Sequence, residues 1–372
     1  MIKRKIIVIF ARFIKYKMKK FTNIFFAFCS IASLFVSCDD KEHNVEVSVE
    51  KFPIGTVTWS GEVSAQDKAV ISELLNNMVH VEATHFYMGA QSKSYTRANY
   101  ISGYTAGKDT IFNKNKANLE DTLYTDDVKI PYCLVYYNAG LAVGPVFDIT
   151  MPDYFIGKYE VTQGQWMAVV GHKPSGTYCK VEELKGTDAW YDATGKGDNI
   201  AAYNISYDDA LEFCASLSRK TGLKFRLPTE AEWECAARGG KATKGYKNPG
   251  SDTYLDIAWC YSNACDVGLG ATNYGVHAGG ELLTNELGIY DMAGNVSEWV
   301  ANSYYRYTLN DNTNPQGAAR TDTLVLRGGS WTQSRALDFS PATRKKFIES
   351  SYSKQSYLDA IAYCGLRIAI SK

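Results

Sequence analysis

The chain has 372 residues, of which 45% are apolar and 22% are charged, and its 40 lysines and arginines are balanced by 40 aspartates and glutamates. This composition is typical of a globular protein with enough apolar surface for one large domain or two ordinary ones. Without a basic excess the chain has no surplus charge with which to neutralise phosphates, so nucleic acid is not expected as a partner.

The N-terminal segment predicts export and attachment to a membrane. A nearly continuous apolar run at 21–36 follows basic residues and has the length of the apolar region of a signal peptide. A small residue then precedes Cys38, and charged residues follow it, a pattern that resembles the lipidation site of bacterial lipoproteins. We therefore expect 1–38 to be a lipoprotein signal peptide that ends at a lipidated Cys38, with translation starting at Met1 or Met18. An uncleaved membrane anchor is the alternative, although the run is marginal for a span.

The lipid anchor would place the protein in the bacterial cell envelope, at the outer membrane or the cell surface. Residues 39–52 are polar and are expected to form a tether, and residues 53–77 an N-terminal extension. The remaining chain, 78–372, is expected to be the folded domain, with a polar, Tyr-rich insertion at about 90–147.

The cysteines after Cys38 are odd in number, which predicts at least one free thiol unless a partner chain supplies a cysteine. None of them shows the CxxC spacing of a zinc site. We interpret Cys260 and Cys265 as core residues or as a local disulfide, and Cys364 as a structural residue with Cys214 as a candidate partner. The full set is Cys133, Cys179, Cys214, Cys235, Cys260, Cys265 and Cys364.

Capping residues and apolar periodicity predict four helices, with short strands elsewhere. Thr162 with Gln165, and Thr229 with Glu232, match the capping box that starts a helix. The helices are expected at about 64–78, 162–171, 206–222 and 229–238, and strands at 79–89, 154–161, 324–327 and 366–370. The fold class is therefore α+β with few helices and much irregular structure. Such a fold usually needs metal ions or disulfides to hold its loops.

Several segments match one protein family in sequence order. They are Met78 to Gly89, Phe155 to Thr162, Ile205 to Ala210, Phe225 to Glu234, Asn285 to Trp299, Leu326 to Trp331, and Gly365 to Arg367. Together they resemble the formylglycine-generating enzyme (sulfatase-modifying factor) family over about residues 78–370. The resemblance implies a compact variant of the C-type lectin-like fold.

A glycine turn near the end of the longest matching segment predicts a calcium site. Carbonyl and carboxylate oxygens on such a turn suit a hard cation, and the resemblance implies that Gly294, Val296 and Glu298 hold calcium. The alternative is that Glu298 only accepts hydrogen bonds from loop amides. The resemblance also implies a second calcium site near Asn263 and Ala264.

The stretch around Ser330 and Trp331 is where the family performs its chemistry. In active members two cysteines that follow it bind copper and activate oxygen to convert a substrate cysteine to formylglycine. Here Gln333 and Asp338 stand at those positions, and neither an amide nor a carboxylate replaces the thiolates that Cu(I) selects. These two replacements argue against bound copper and against the oxidase activity that the resemblance would otherwise imply.

Other catalytic chemistries find little support in the sequence. An iron site of the related sulfoxide-synthase type needs grouped histidines, and only His80 and His85, which flank a predicted strand, are close together. No phosphate-binding loop and no GxSxG elbow occurs. Ser330 or an aspartate could still act as a nucleophile, but no residue is nominated as its base.

Three functions remain open at the sequence level. The first is a non-oxidase binding module whose cleft, near Ser330, Trp331, Trp299 and Arg335, holds a peptide, a glycan or a protein partner. The second is an active family enzyme, either the formylglycine-generating oxidase or one with altered chemistry at Gln333, Arg335 and Asp338. The third is a structural component of the envelope that contributes only a surface for assembly. Fold alone does not choose among them.

Overall fold

The computed structural model describes residues 48–89, 141–142, 147–175, 190, 192–305, 320–353, 356 and 360–372. The predicted signal peptide with Cys38, most of the predicted insertion at 90–147, and Cys133 and Cys179 lie outside these ranges.

The four predicted helices form, and each begins at a side-chain cap. They are α1 (Ala65–Asn76), α2 (Gln163–Val170), α3 (Tyr207–Thr221) and α4 (Glu230–Ala237). Thr162, Ser206 and Thr229 each form a capping box with the residue three positions later, which satisfies two otherwise unpaired backbone amides. Gly171 and Gly222 end α2 and α3 with φ of 87° and 73°, a left-handed conformation that favours glycine. The capping predictions are thus confirmed.

The described strands form two larger sheets and two strand pairs. The strands are β1 (Val49–Phe52), β2 (Gly55–Thr58), β3 (Met78–Val81), β4 (Thr84–Met88), β5 (Leu141–Ala142), β6 (Phe147–Met151), β7 (Tyr154–Gly157), β8 (Ser297–Ser303), β9 (Thr323–Arg327), β10 (Arg344–Ile348), β11 (Cys364–Gly365) and β12 (Ala369–Ser371). One sheet has the order β11-β8-β9-β10-β5 and the other β12-β7-β3, while β1 pairs with β2 and β4 with β6. Only β11 and β8 run parallel among these pairs.

The predicted strands and the tether differ from the structure at their boundaries. The strand expected over 79–89 is interrupted at 82–83, where the Asp153 side chain accepts a hydrogen bond from the Ala83 amide at 3.3 Å. The strand expected over 366–370 begins only at Ala369. The tether expected over 39–52 ends earlier, because Val49–Phe52 is β1 and pairs with β2.

The five-stranded sheet is covered on both faces. Successive side chains of a strand point to opposite faces, and here Trp299 joins one core cluster while Val300 joins the other. The first cluster contains apolar residues of α1, α2 and α3, and the second contains those of α4, β3, β4, β6 and β7.

The described cysteines are buried and free, which corrects the two disulfides that the sequence suggested. Cys214 and Cys364 are not bonded to each other, and neither are Cys260 and Cys265. Burial raises the pKa of Cys214, Cys235 and Cys364 to about 12. These thiols therefore stay protonated and behave as small apolar side chains.

In the part of the chain that the structure describes, no helix has the length and apolar character needed to cross a membrane.

Candidate functional site

The turn after β9 brings the two residues at the thiol positions to one place. Gly328 and Gly329 have φ of 87° and 79°, which lets the chain reverse directly after the strand. The side-chain oxygen of Gln333 then accepts a hydrogen bond from the Ser330 amide at 2.8 Å. A Cβ atom at Gly329 would lie 2.7 Å from that Gln333 oxygen and 3.0 Å from the Asp338 carbonyl oxygen. Position 329 therefore requires glycine, because a side chain there would lie too close to Gln333 and to Asp338.

Asp338 is neutralised by a neighbouring arginine. It is only 2% exposed, and its carboxylate accepts hydrogen bonds from Arg335 Nη2 at 2.8 Å and Arg335 Nε at 3.2 Å. It also accepts one from the Arg335 backbone amide at 3.3 Å. Asp338 therefore closes a short helical turn, Ala336–Phe339.

Most of the residues that the sequence placed in a cleft beside Ser330 are buried, whereas Arg335 is exposed. Gln333 and Asp338 line a cavity of only about 10 Å³, roughly the room that one water molecule needs. Ser330 and Trp331 are each 2% exposed, and Trp299 is fully buried, with its indole N–H donating to the Ile205 carbonyl at 2.8 Å. Ser330, Trp331 and Trp299 therefore offer almost no surface to a peptide or a glycan.

The donor atoms around this small cavity do not fit copper. Its polar lining consists of an amide, a carboxylate, two hydroxyls, an arginine and a lysine, with no cysteine, whereas Cu(I) requires soft ligands. The nearest cysteine that follows in sequence is Cys364, which is buried in β11. Burial raises its pKa to about 12, so the sulfur stays protonated.

Glu298 lies in a buried ion pair. Its oxygens accept hydrogen bonds from Arg367 Nε at 2.7 Å and Nη2 at 2.8 Å, and from the Trp233 indole at 2.7 Å. Both Glu298 and Arg367 are fully buried. Arg367 also donates to the carbonyls of Gly157 and Tyr290. The pair therefore joins β7, β8 and the loop before β8.

Two further buried acids, Glu160 and Asp291, lie in the same region and were missed by the sequence analysis. Glu160 accepts hydrogen bonds from Asn295 Nδ2 at 2.5 Å and from the Val296 amide at 3.1 Å. Asp291 Oδ2 accepts one from the Gly280 amide at 3.0 Å, while its Oδ1 is buried without a hydrogen-bond partner. A glutamate inside the apolar stretch 154–161 was the available sequence signal for Glu160.

Three buried acids, Glu160, Asp291 and Glu298, lie near one buried cation, Arg367. The pKa values of Glu160 and Asp291 are raised as a result of burial and of this excess of acids. Burial raises the pKa of Asp291 to about 6, against the opposing effects of the Gly280 amide and Arg367. Burial, followed by the charges of Asp291 and Glu298, raises the pKa of Glu160 well above its usual range. A divalent cation would relieve this excess of negative charge. Both Glu298 oxygens already accept hydrogen bonds from Arg367 and Trp233, so a calcium ion near Gly294, Val296 and Glu298 stays a prediction.

The residues predicted for a second calcium site hold a loop together. Asn263 and Ala264 lie in a π-helical turn, Tyr261–Cys265. The Asn263 carbonyl accepts from Asn273 Nδ2 at 2.5 Å, and the Ala264 carbonyl accepts from the Gly275 amide at 2.9 Å. Both carbonyls therefore have protein donors, and calcium at this position stays a prediction.

The two histidines considered for an iron site are separately engaged. His80 Nε2 lies 2.8 Å from Asp153 Oδ1, and His85 Nδ1 lies 3.1 Å from Thr150 Oγ1. Within the described ranges, no three His, Cys, Asp or Glu side chains form a group that could hold a metal ion. A calcium site beside Glu298 would therefore depend largely on backbone carbonyls.

The fold and the position of these residues define a sulfatase-modifying factor type of protein. The family model of the sulfatase-modifying factor enzyme 1-like domain matches residues 66–372, so the chain belongs to this family. The mixed architecture with few helices is the family fold, as the sequence predicted, and it is consistent with a C-type lectin-like variant.

The chain is similar to two curated relatives and to one solved structure, among others. The chain is 30% identical to "Chaperone protein LppX" of Paenibacillus barcinonensis over 229 residues, 50% of this chain and 72% of that protein. It is 28% identical to "Inactive C-alpha-formylglycine-generating enzyme 2" of Bos taurus over 227 residues, 50% of this chain and 68% of that one. The structure of Treponema denticola variable protein 1 has the same fold, with a TM-score of 0.52 at 20% identity, covering 87% of this chain and 99% of that one.

Proposed function

We propose that this protein is a non-oxidase member of its family that binds protein clients in the cell envelope. The observation that carries the proposal is that Gln333 and Asp338, at the two thiol positions, make structural contacts with Ser330 and Arg335. The names of two relatives, a chaperone and an inactive enzyme, support a binding role. Assembly of other envelope proteins is the activity that such a module would serve.

The proposed loss of oxidase activity is tested by comparing cysteine with serine at positions 333 and 338. The full-length chain, incubated with Cu(I), oxygen and a cysteine-containing sulfatase peptide, is expected to leave the peptide mass unchanged. The double variant Gln333→Cys/Asp338→Cys is expected to gain Cu(I) binding, because thiolates are the ligands that Cu(I) selects. The control Gln333→Ser/Asp338→Ser has similar size without sulfur. Conversion of the peptide cysteine by the unaltered chain would refute the proposal.

Attachment to the membrane through Cys38 is a second part of the proposal. Its support is the apolar run at 21–36 that precedes Cys38, because such a run followed by charge is typical of an export signal. Cells expressing the chain are expected to incorporate labelled palmitate into it, and Cys38→Ala is expected to abolish the label. Fractionation into inner and outer membranes would then locate the anchored protein. Equal labelling of Cys38→Ala would contradict a lipid on this cysteine.

We also propose a structural calcium ion near Gly294, Val296 and Glu298. When bound, the ion would neutralise buried carboxylates. The chain's own contribution is to hold Glu160, Asp291 and Glu298 close around one arginine, Arg367, in a buried environment. The role is structural, since the ion would join the loop before β8 to the chain that follows β7.

A further inference from the structure

The carboxylate that the resemblance assigns to calcium already has a cation. Glu298 Oε1 accepts a hydrogen bond from Arg367 Nη2 at 2.8 Å, and Glu298 Oε2 accepts one from Arg367 Nε at 2.7 Å and one from the Trp233 indole at 2.7 Å. A guanidinium bonded to both oxygens neutralises a carboxylate and fixes its orientation. Both side chains are fully buried, so moving Glu298 to a metal ion would leave the Arg367 charge without its partner, which is costly.

Asp291 is a buried acid with one oxygen that no donor reaches. The residue is 3% exposed. Its Oδ2 accepts a hydrogen bond from the Gly280 amide at 3.0 Å, whereas its Oδ1 is buried without a hydrogen-bond partner. Among the residues that the structure describes, this is the only buried carboxylate oxygen without one. Burying an ionised carboxylate is costly unless a positive charge compensates it, so Asp291 Oδ1 calls for a cation or a proton.

A second acid, Glu160, lies beside Asp291 on a neighbouring segment. The Tyr290 amide donates to the Lys158 carbonyl at 3.0 Å, and the rings of Tyr159 and Tyr290 stack with centroids 5.2 Å apart. The chain at 158–160 therefore runs against the chain at 290–291. After burial, the charge of Asp291 is the next largest cause of the raised pKa of Glu160. The two carboxyl groups are thus close enough to interact.

Neither Glu160 nor Asp291 has a cation bonded to its carboxylate in the described chain. Glu160 accepts hydrogen bonds from Asn295 Nδ2 and from the Val296 amide, which are uncharged donors. Arg367 contacts Asp291 at the backbone carbonyl, at 3.4 Å, and not at the carboxylate. Two ionised carboxylates carry the charge that one divalent cation neutralises. Calcium binds carboxylates together with backbone carbonyls and water, so two acids would supply part of its ligands.

We propose that Asp291, together with Glu160, supplies the carboxylate ligands of the structural calcium ion, and that Glu298 does not. In this arrangement Arg367 neutralises Glu298, and the metal ion neutralises the other two acids, so that each buried charge has a partner. The inference rests on the calcium ion proposed above and changes its ligands. It departs from the ligand set that the resemblance implies, in which Glu298 is the only side chain with a carboxylate.

The test is calcium binding by the full-length chain in detergent micelles, measured by isothermal titration calorimetry after EDTA has removed bound metal. Asp291→Asn keeps the size of the side chain but removes its charge. It is expected to weaken calcium binding roughly tenfold or more, because calcium affinity depends on the number of charged ligands. Glu281→Gln is the matched control, since it removes a carboxylate that is next to Gly280 but 48% exposed. Solvent screens such a charge, so this variant is expected to retain the affinity.

A crystal structure of the unaltered chain with calcium chloride separates the choice of ligand from any effect of a variant on folding. An anomalous difference peak is expected about 2.3–2.6 Å from Asp291 Oδ1, with Glu298 still bonded to Arg367. A peak coordinated by Glu298, or equal calcium affinities for Asp291→Asn and the unaltered chain, would overturn the inference. In either case the proposed calcium ion stands and only its ligands are wrong. If the unaltered chain binds no calcium, both proposals fail.

Discussion

At the scale of single residues, the two residues predicted to stand at the thiol positions make contacts within the turn after β9. Gln333 holds the turn after β9 through the Ser330 amide, and Asp338 pairs with Arg335. An amide oxygen that receives a backbone donor and a carboxylate that receives a guanidinium are satisfied groups. These two residues therefore stabilise the turn whether or not any ligand is present.

Asp291 gives a prediction about pH and calcium. Its pKa is raised to about 6 from a usual value of 3.8. Between these two pH values the calcium-free folded chain therefore holds a proton that the unfolded chain has lost. The stability that this proton contributes, about 3 kcal/mol at most, is present below pH 4 and is lost as the pH rises through 6. Calcium competes with the proton, so its stabilising effect is expected to appear above pH 6.

The measurement is the free energy of unfolding by urea between pH 4 and 8, with EDTA or with calcium chloride. Other carboxylates also titrate in this interval, so the relevant quantity is the difference between the unaltered chain and Asp291→Asn. That difference is expected to change with pH in EDTA, and calcium is expected to stabilise the variant less. A difference that is independent of pH and of calcium would contradict both the raised pKa and the calcium site.

At the scale of elements, α4 is held by ion pairs on a helix whose eight residues are all buried. Glu230 pairs with Arg344, and Glu234 pairs with Arg327 and Arg238. Glu232 accepts a hydrogen bond from the Thr229 amide at 2.8 Å and another from the Arg226 guanidinium at 2.6 Å. The helix therefore depends on partners from several parts of the chain.

Removing one of these buried charges is expected to be costly. Glu230→Gln leaves Arg344 without its carboxylate and is expected to lower the free energy of unfolding by about 3–5 kcal/mol. Glu82→Gln removes the carboxylate of an exposed pair with Lys241 and is expected to leave stability unchanged, because exposed ion pairs contribute little. Urea denaturation of both variants provides the comparison. Similar stabilities for the two would show that the α4 pairs are dispensable.

At the scale of the whole molecule, α1 belongs to the same core as the later helices. Leu74 and Leu75 are buried in the cluster that also contains Trp166 of α2 and Phe213 of α3. Leu75→Ala is therefore expected to cost about 2–5 kcal/mol, measured by urea denaturation. Leu211→Ala, at a 39% exposed position of α3, is the control and is expected to cost much less. An equal effect of the two changes would place α1 outside the cooperative core.

Much of this fold could be predicted from the sequence, because its helices are specified locally. Each capping residue, Thr162, Ser206 or Thr229, contacts a residue only three positions later. Apolar periodicity and these capping residues therefore predicted where the helices begin. The burial of Ser330 and Trp331 could not be predicted in this way, since it depends on contacts between segments that are distant in sequence, such as the Trp331 amide with the Asn295 carbonyl. The acid group depends on Glu160 meeting Asn295 across 135 residues. Interactions of that range leave no local pattern.

The three-stranded sheet has a consequence for how the protein is made. Its strand β7 lies between β3 and β12, and Tyr154 pairs with Ser371 in the last strand of the sequence. Arg367 reaches back 210 residues to the Gly157 carbonyl. Contacts of such separation form late. A chain exported from its N-terminus, as proposed above, therefore cannot complete this sheet until β12 has crossed the membrane, and until then it is open to proteases and to chaperones on the far side.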